Sequence, residues 1–125
     1  MDFSQWQPLG ERVTGITNTT TAVNVDSQRV PAGQIWALTF AVLSNLSGET
    51  VAVIWAIVRG AQVIQFSKAG TLADGDGNAA YPLPMLFEGE ILRAIVTGSA
   101  AKSTVILAYN GWRVGLPPVP PSVGG

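Results

Sequence analysis

The sequence predicts an all-β fold, an antiparallel β-sandwich of about eight strands with a jelly-roll-like arrangement. Three observations carry that expectation. Apolar residues alternate with other residues or run in short blocks, as a two-residue period requires, and no stretch repeats at helical spacing. Gly, Pro, Asn, Asp and Ser bound those blocks at roughly ten-residue intervals. The 125 residues suffice for one hydrophobic core and not for two.

An N-terminal arm, residues 1–10, precedes the sandwich domain, residues 11–115. Glu11 to Thr17 and Thr21 to Val25 are rich in Thr and Val, which suit a pleated, half-buried surface. Val30-Pro31-Ala32-Gly33 is a turn, because Pro31 fixes its own φ and Gly33 tolerates a positive one. The strand from Gln34 to Leu43 puts Trp36, Leu38, Phe40 and Val42 on one face, and this bulkier set is expected to face the core. Asn45 to Glu49 has hairpin-loop chemistry and leads into Thr50–Arg59, where both faces are apolar. A turn at Arg59 to Gln62 enters Val63–Phe66, and the Gly- and Asp-rich stretch from Lys68 to Asn78 is expected to be a long loop. Pro82 and Pro84 remove ladder donors, so Tyr81–Met85 suits an edge or a crossover. Ile91–Thr97 and Ser103–Val114 complete the strands. The C-terminal arm, residues 116–125, holds four prolines, which favour polyproline II with a rise of about 3.1 Å per residue.

The two-faced strands raise a problem of burial. A strand with one solvated face should alternate apolar and polar residues, yet Ile54, Val58, Ile91 and Ile95 occupy the second face of theirs. Each such side chain left in water forgoes about 1.5–3 kcal/mol. Either loops and arms of the same chain cover these faces, or a second copy does; the expectation is a homo-oligomer or lattice protein. The arms point the same way. Phe3 and Trp6 in the first, and Leu116 and Val119 in the second, are too few for a core of their own and serve as anchors for a partner surface.

Composition excludes much chemistry. Lys plus Arg is 7 and Asp plus Glu is 8, giving a net charge of −1, which argues against a nucleic-acid partner. There is no Cys and no His, so thiolate nucleophiles, Cys/His zinc sites and Ser-His-Asp triads are gone. The apolar run Val51–Val58 is far shorter than a membrane helix, so no membrane partner is expected, and Met1 to Gln5 lacks the basic and apolar segments of a secretory leader. Neither a cofactor nor catalysis is expected. Asp74, Asp76 and Asn78 have the alternate spacing of the first half of a calcium loop, but Ala79 and Met85 stand where such a loop needs Gly and Glu; a hairpin tip accounts for them. Glu88 and Glu90 could mimic a carboxylate pair, although turn polarity explains them equally well. Lys102 and Ser103 are adjacent on a strand and point apart, so they make no dyad. Asn18 and Asn45 head glycosylation-type triplets that carry no meaning without a leader. Trp36 and Trp55 lie in apolar runs and belong to the core, whereas Trp6 and Trp112 are freer to meet a neighbouring subunit.

The Val30–Gly33 turn entering an apolar strand, the Phe-Glu-Gly-Glu-Ile-Leu turn of Phe87–Leu92, and the closing Tyr-Asn-Gly-Trp-Arg-Val of Tyr109–Val114 together resemble small β-sandwich virion proteins of tailed bacteriophages. Capsid decoration, or cement, proteins are the most similar, over roughly Thr21 to Val114. That resemblance implies a non-enzymatic protein, made in the host cytoplasm and bound to the capsid surface of the virion. Its partners would be the major capsid protein and its own copies, a trimer rather than a dimer. The alternatives are a phage head-fibre, tail or host-recognition module that binds a surface glycan, and a non-viral carbohydrate-binding or structural sandwich.

Overall fold

A computed structural model describes residues 6–16, 22–67, 69–98 and 104–115. Phe3, Leu116 and Val119, three of the expected anchors, lie outside the described residues. Within them the chain forms ten strands and no helix: β1 (Trp6–Ile16), β2 (Val23–Asp26), β3 (Gln34–Leu46), β4 (Val51–Arg59), β5 (Gln62–Gln65), β6 (Gly70–Leu72), β7 (Gly77–Ala79), β8 (Met85–Leu86), β9 (Ile91–Thr97) and β10 (Thr104–Gly115). They make two antiparallel five-stranded sheets. The first runs β1-β10-β3-β7, with β8 also on β3, and the second runs β2-β9-β4-β5, with β6 also on β4. The sheets enclose one core, so the molecule is a β-sandwich.

The core follows from side-chain alternation. Val105, Leu107 and Tyr109 of β10 and Leu9 of β1 meet Val51, Val53 and Trp55 of β4 and Leu92, Ala94 and Val96 of β9. Trp36 stacks on Tyr109 with ring centroids 6.1 Å apart, an arrangement worth about 1 kcal/mol beyond burial. Both buried indoles have an acceptor: Trp36 Nε1 donates to Gln34 Oε1, and Trp55 Nε1 donates to Asn78 Oδ1.

β3 departs from the expected period. Trp36 and Leu38 are buried as anticipated, but Phe40 is exposed and Val42 half-exposed, while Ala41 and Leu43 are buried in their place. The cause is a β-bulge. Asn110 pairs with Phe40 and Gly111 pairs with Leu38, so Thr39 is an extra residue and the strand's two faces exchange beyond it. Gly111 is obligatory at this point, since a Cβ there would sit 2.2 Å from the Ala37 carbonyl oxygen and 2.7 Å from Leu38 Cα.

Other expectations also shift. Residues 6–10, assigned above to an arm, are the first half of β1 and pair with Asn110–Val114. The stretch expected as one long loop contains β6 and β7, which pair with β4 and β3. Leu72 of β6 enters the core and Asn78 of β7 accepts from the Trp55 indole, but each strand is only three residues long and set among Gly and Asp, which hides the pattern in the sequence. The Val30–Gly33 turn is present, with Gly33 at φ 77° and its hydrogen bond from Gln34 N to Pro31 O.

Asn45 ties one end of the sandwich together. Its fully buried side chain donates to the carbonyls of Glu49 (2.6 Å) and Leu72 (3.0 Å) and accepts from Ser47 N–H. Its main chain bonds Asp76 and Gly75 as well. The triplet headed by Asn45 is therefore spent on structure and closed to modification in the folded chain.

Two expected outcomes test this account by urea denaturation. Gly111→Ala loses about 3 kcal/mol because backbone must move, whereas Gly10→Ala, whose Cβ would stand 3.6 Å from Asn110 Cβ, stays within about 0.5 kcal/mol of the parent. Asn45→Ala loses about 2–4 kcal/mol, since it strands a buried carbonyl and opens the loop.

Candidate interaction surface

The bulge has a consequence outside the core. On the outer face of the first sheet, cross-strand registers place Trp6, Val114 and Ile35 in one row and Pro8, Trp112, Ala37 and Met85 in the next. Gly10, Asn110 and Phe40 form the third row, and Arg12, Ala108, Val42 and Ala79 the fourth. Phe40, Trp112 and Met85 are 42%, 47% and 48% exposed, which is high for apolar side chains this large and this close together. Trp112 and Phe40 stand diagonally across adjacent strands, two register steps apart.

Beside them lies an open depression of about 460 Å³, lined by Gly10, Glu11, Arg12, Phe40, Ala108, Tyr109 and Asn110. Gly10 and Ala108 are small enough to leave the hollow. Thr39 Oγ1 bonds Asn110 Oδ1 at 3.3 Å, which steadies the amide at its rim. The surface thus combines two exposed aromatic rings with amide and guanidinium N–H donors.

Beneath this face Tyr109 anchors β1 to the core. Its hydroxyl donates to Glu11 Oε2 (2.8 Å) and accepts from Gln28 N–H (3.2 Å). Burial pushes its pKa well above the usual tyrosine range; the Gln28 contact opposes this, and the Glu11 carboxylate adds to it.

The second sheet carries the other expected contact residues. Ile54 faces Ile95, and Val58 faces Ile91. Ile54 and Ile95 are half-buried, whereas Val58 and Ile91 are already buried within the chain. Between these pairs Arg93 reaches Asp26 through two hydrogen bonds of 2.8 and 2.9 Å, and that pairing raises the arginine's pKa. Trp6 lies on the opposite side of the sandwich. Half-buried against Val114, it has an indole N–H without a hydrogen-bond partner among the described residues. Among the described residues, the structure therefore does not unite the anticipated contact residues into one surface. Phe40 and Met85, by contrast, were not among them.

Turn polarity accounts for the acidic candidates. Asp74 Oδ1 accepts from Gly48 N–H, Asn78 is committed to Trp55, and no cluster of three metal-ligating side chains occurs among the described residues. Glu88 Oε1 accepts from Gly33 N–H, while Glu90, buried, accepts from Phe87 N–H and pairs with Arg59 at 2.6 Å. The two glutamates hold separate turns. Asn18, Lys102 and Ser103 lie outside the described residues.

Compared with known proteins, the chain matches no family model and no curated protein.

Tyr109 yields a pH prediction. The folded state holds the phenolic proton to higher pH than the unfolded chain, so its contribution is complete below about pH 10, the unfolded value. That contribution is lost as pH rises through and beyond this point. Urea midpoints should fall above about pH 10. Tyr109→Phe should be less stable at pH 7 by about 1 kcal/mol yet show a flatter decline in the alkaline window.

Proposed function

We propose that this chain is a non-enzymatic virion structural protein, a decoration or cement protein that binds the outside of a tailed-phage capsid and stabilises it. The observation that carries the reading is the exposed face around Trp112, Phe40 and Met85, a surface that a protein working alone would keep polar. Its partners in this reading are the major capsid protein and further copies of itself, as a trimer rather than a dimer. The jelly-roll reading is supported by strand orders β1-β10-β3-β7 and β2-β9-β4-β5, in which each sheet interleaves early and late strands. That architecture serves capsid proteins and lectins alike, so function rests on the surface. Binding many copies across capsomer boundaries would favour the expanded shell by mass action.

A second reading has its own support: Trp112 beside a hollow rimmed by Asn110 and Arg12 is also a sugar-stacking shape, as a host-recognition module would need.

Sedimentation velocity followed by cosedimentation with empty expanded heads of tailed phages separates the two. The proposal expects a homo-oligomer that sediments with heads. Phe40→Ser combined with Trp112→Ser should weaken self-association and, through the avidity lost with it, head binding by about 100-fold. Deleting residues 1–5, which leaves β1 whole, should also weaken head binding by removing Phe3. A monomer that ignores heads and binds a glycan array would overturn the decoration reading in favour of the second.

A further inference from the structure

We propose that the proline-rich segment 116–125 of one copy docks on the outer face of the first sheet of a second copy, seated across Trp112, Phe40 and Met85. This rests on the reading of the chain as a self-associating protein and names the contact that performs the association.

The argument begins with chemical fit. LPPVPPSVGG is uncharged and has four prolines in its first six residues. Segments of this kind form polyproline II, and aromatic-lined grooves take them because little conformational entropy remains to be lost. That helix makes no internal hydrogen bonds, so its carbonyl oxygens need donors. The face supplies both requirements, with rings at Trp112 and Phe40 and N–H groups on Asn110, Arg12 and the Trp112 indole.

The second step concerns reach. β10 ends at Gly115, three residues past Trp112, opposite Gln34 at the start of β3. Leu116, Pro117, Val119 and Pro120 each precede a proline, which biases such residues toward extended backbone and against a tight reversal. In polyproline II, at about 3.1 Å per residue, five residues span roughly 15 Å and ten roughly 30 Å. In the proposed contact a neighbouring copy receives the segment. Each copy then gives one tail and receives another, a head-to-tail contact that makes a ring where the rotation between copies closes. Repeated around the ring, contacts of modest individual strength reinforce one another.

The test uses the full chain. Pro117, Pro118, Pro120 and Pro121 are replaced together by glycine, and self-association is measured by sedimentation velocity, with near-UV circular dichroism reporting the fold. Association should weaken about 100-fold with the fold unchanged, because flexibility is restored and ring contacts are lost. Trp112→Ala should give a similar loss, and combining it with the glycine variant should add little, as expected for groups that share one contact. A synthetic LPPVPPSVGG peptide should dissociate the parent oligomer. If the glycine variant associates like the parent, the tail inference is overturned while self-association stands. If the parent itself is monomeric at every concentration, self-association and the second-copy contact both fall. A monomer in which the peptide nevertheless binds at Trp112 places the tail on its own copy and overturns the exchange.

Discussion

The extra residue at Thr39 is the constraint on which both the interior and the exterior of this molecule depend. A strand with an unbroken two-residue period would carry Trp36, Leu38, Phe40 and Val42 to the same side. With the bulge, β3 delivers Trp36 and Leu38 and then Ala41 and Leu43 to the core, and Phe40 and Val42 to the outside. Gly111 makes this possible by letting β10 approach the β3 backbone more closely than any side chain would permit. One local irregularity therefore fills the sandwich and also sets a phenyl ring beside Trp112 on its surface.

Polar groups do complementary work at the margins. Asn45 joins the β3 end to the segment before β4 and to the end of β6, while Glu90 secures the turn that feeds β9 and Glu88 the turn that feeds β3. Tyr109 links the edge strand β1 and the segment after β2 to the central aromatic stack. Asn45, Glu88 and Glu90 resemble candidate chemistry in the sequence because each is acidic or amide and sits near glycine. Their geometry assigns them to holding turns and strand ends.

Much of the fold was legible from pattern. The all-β class, the buried Trp36 and Trp55, the turns at Gly33 and Gly60 and the exclusion of Pro82 and Pro84 from a central strand all follow from alternation and proline or glycine chemistry. What escaped was non-periodic. β6 and β7 are three-residue strands set among Gly and Asp, too short to show a period, and the exchange of faces at Thr39 leaves no trace in hydropathy. One signal was available: Gly111, isolated within an apolar strand, is the mark of a bulge or a close backbone approach. Reading it would have moved Phe40 outward and brought it to Trp112. Of the anticipated contact residues, Val58 and Ile91 proved to be buried within the chain, and Trp6 stands on the opposite sheet from Ile54 and Ile95.

The central claim is that the face bearing Phe40, Met85 and Trp112 is covered in the native state by another protein surface. Hydroxyl-radical footprinting read by mass spectrometry reports those three side chains individually. Labelling at all three should fall steeply as protein concentration rises through the association range, and recover on dilution. Uniform labelling of Phe40, Met85 and Trp112 at every concentration and in the presence of expanded heads would contradict the account.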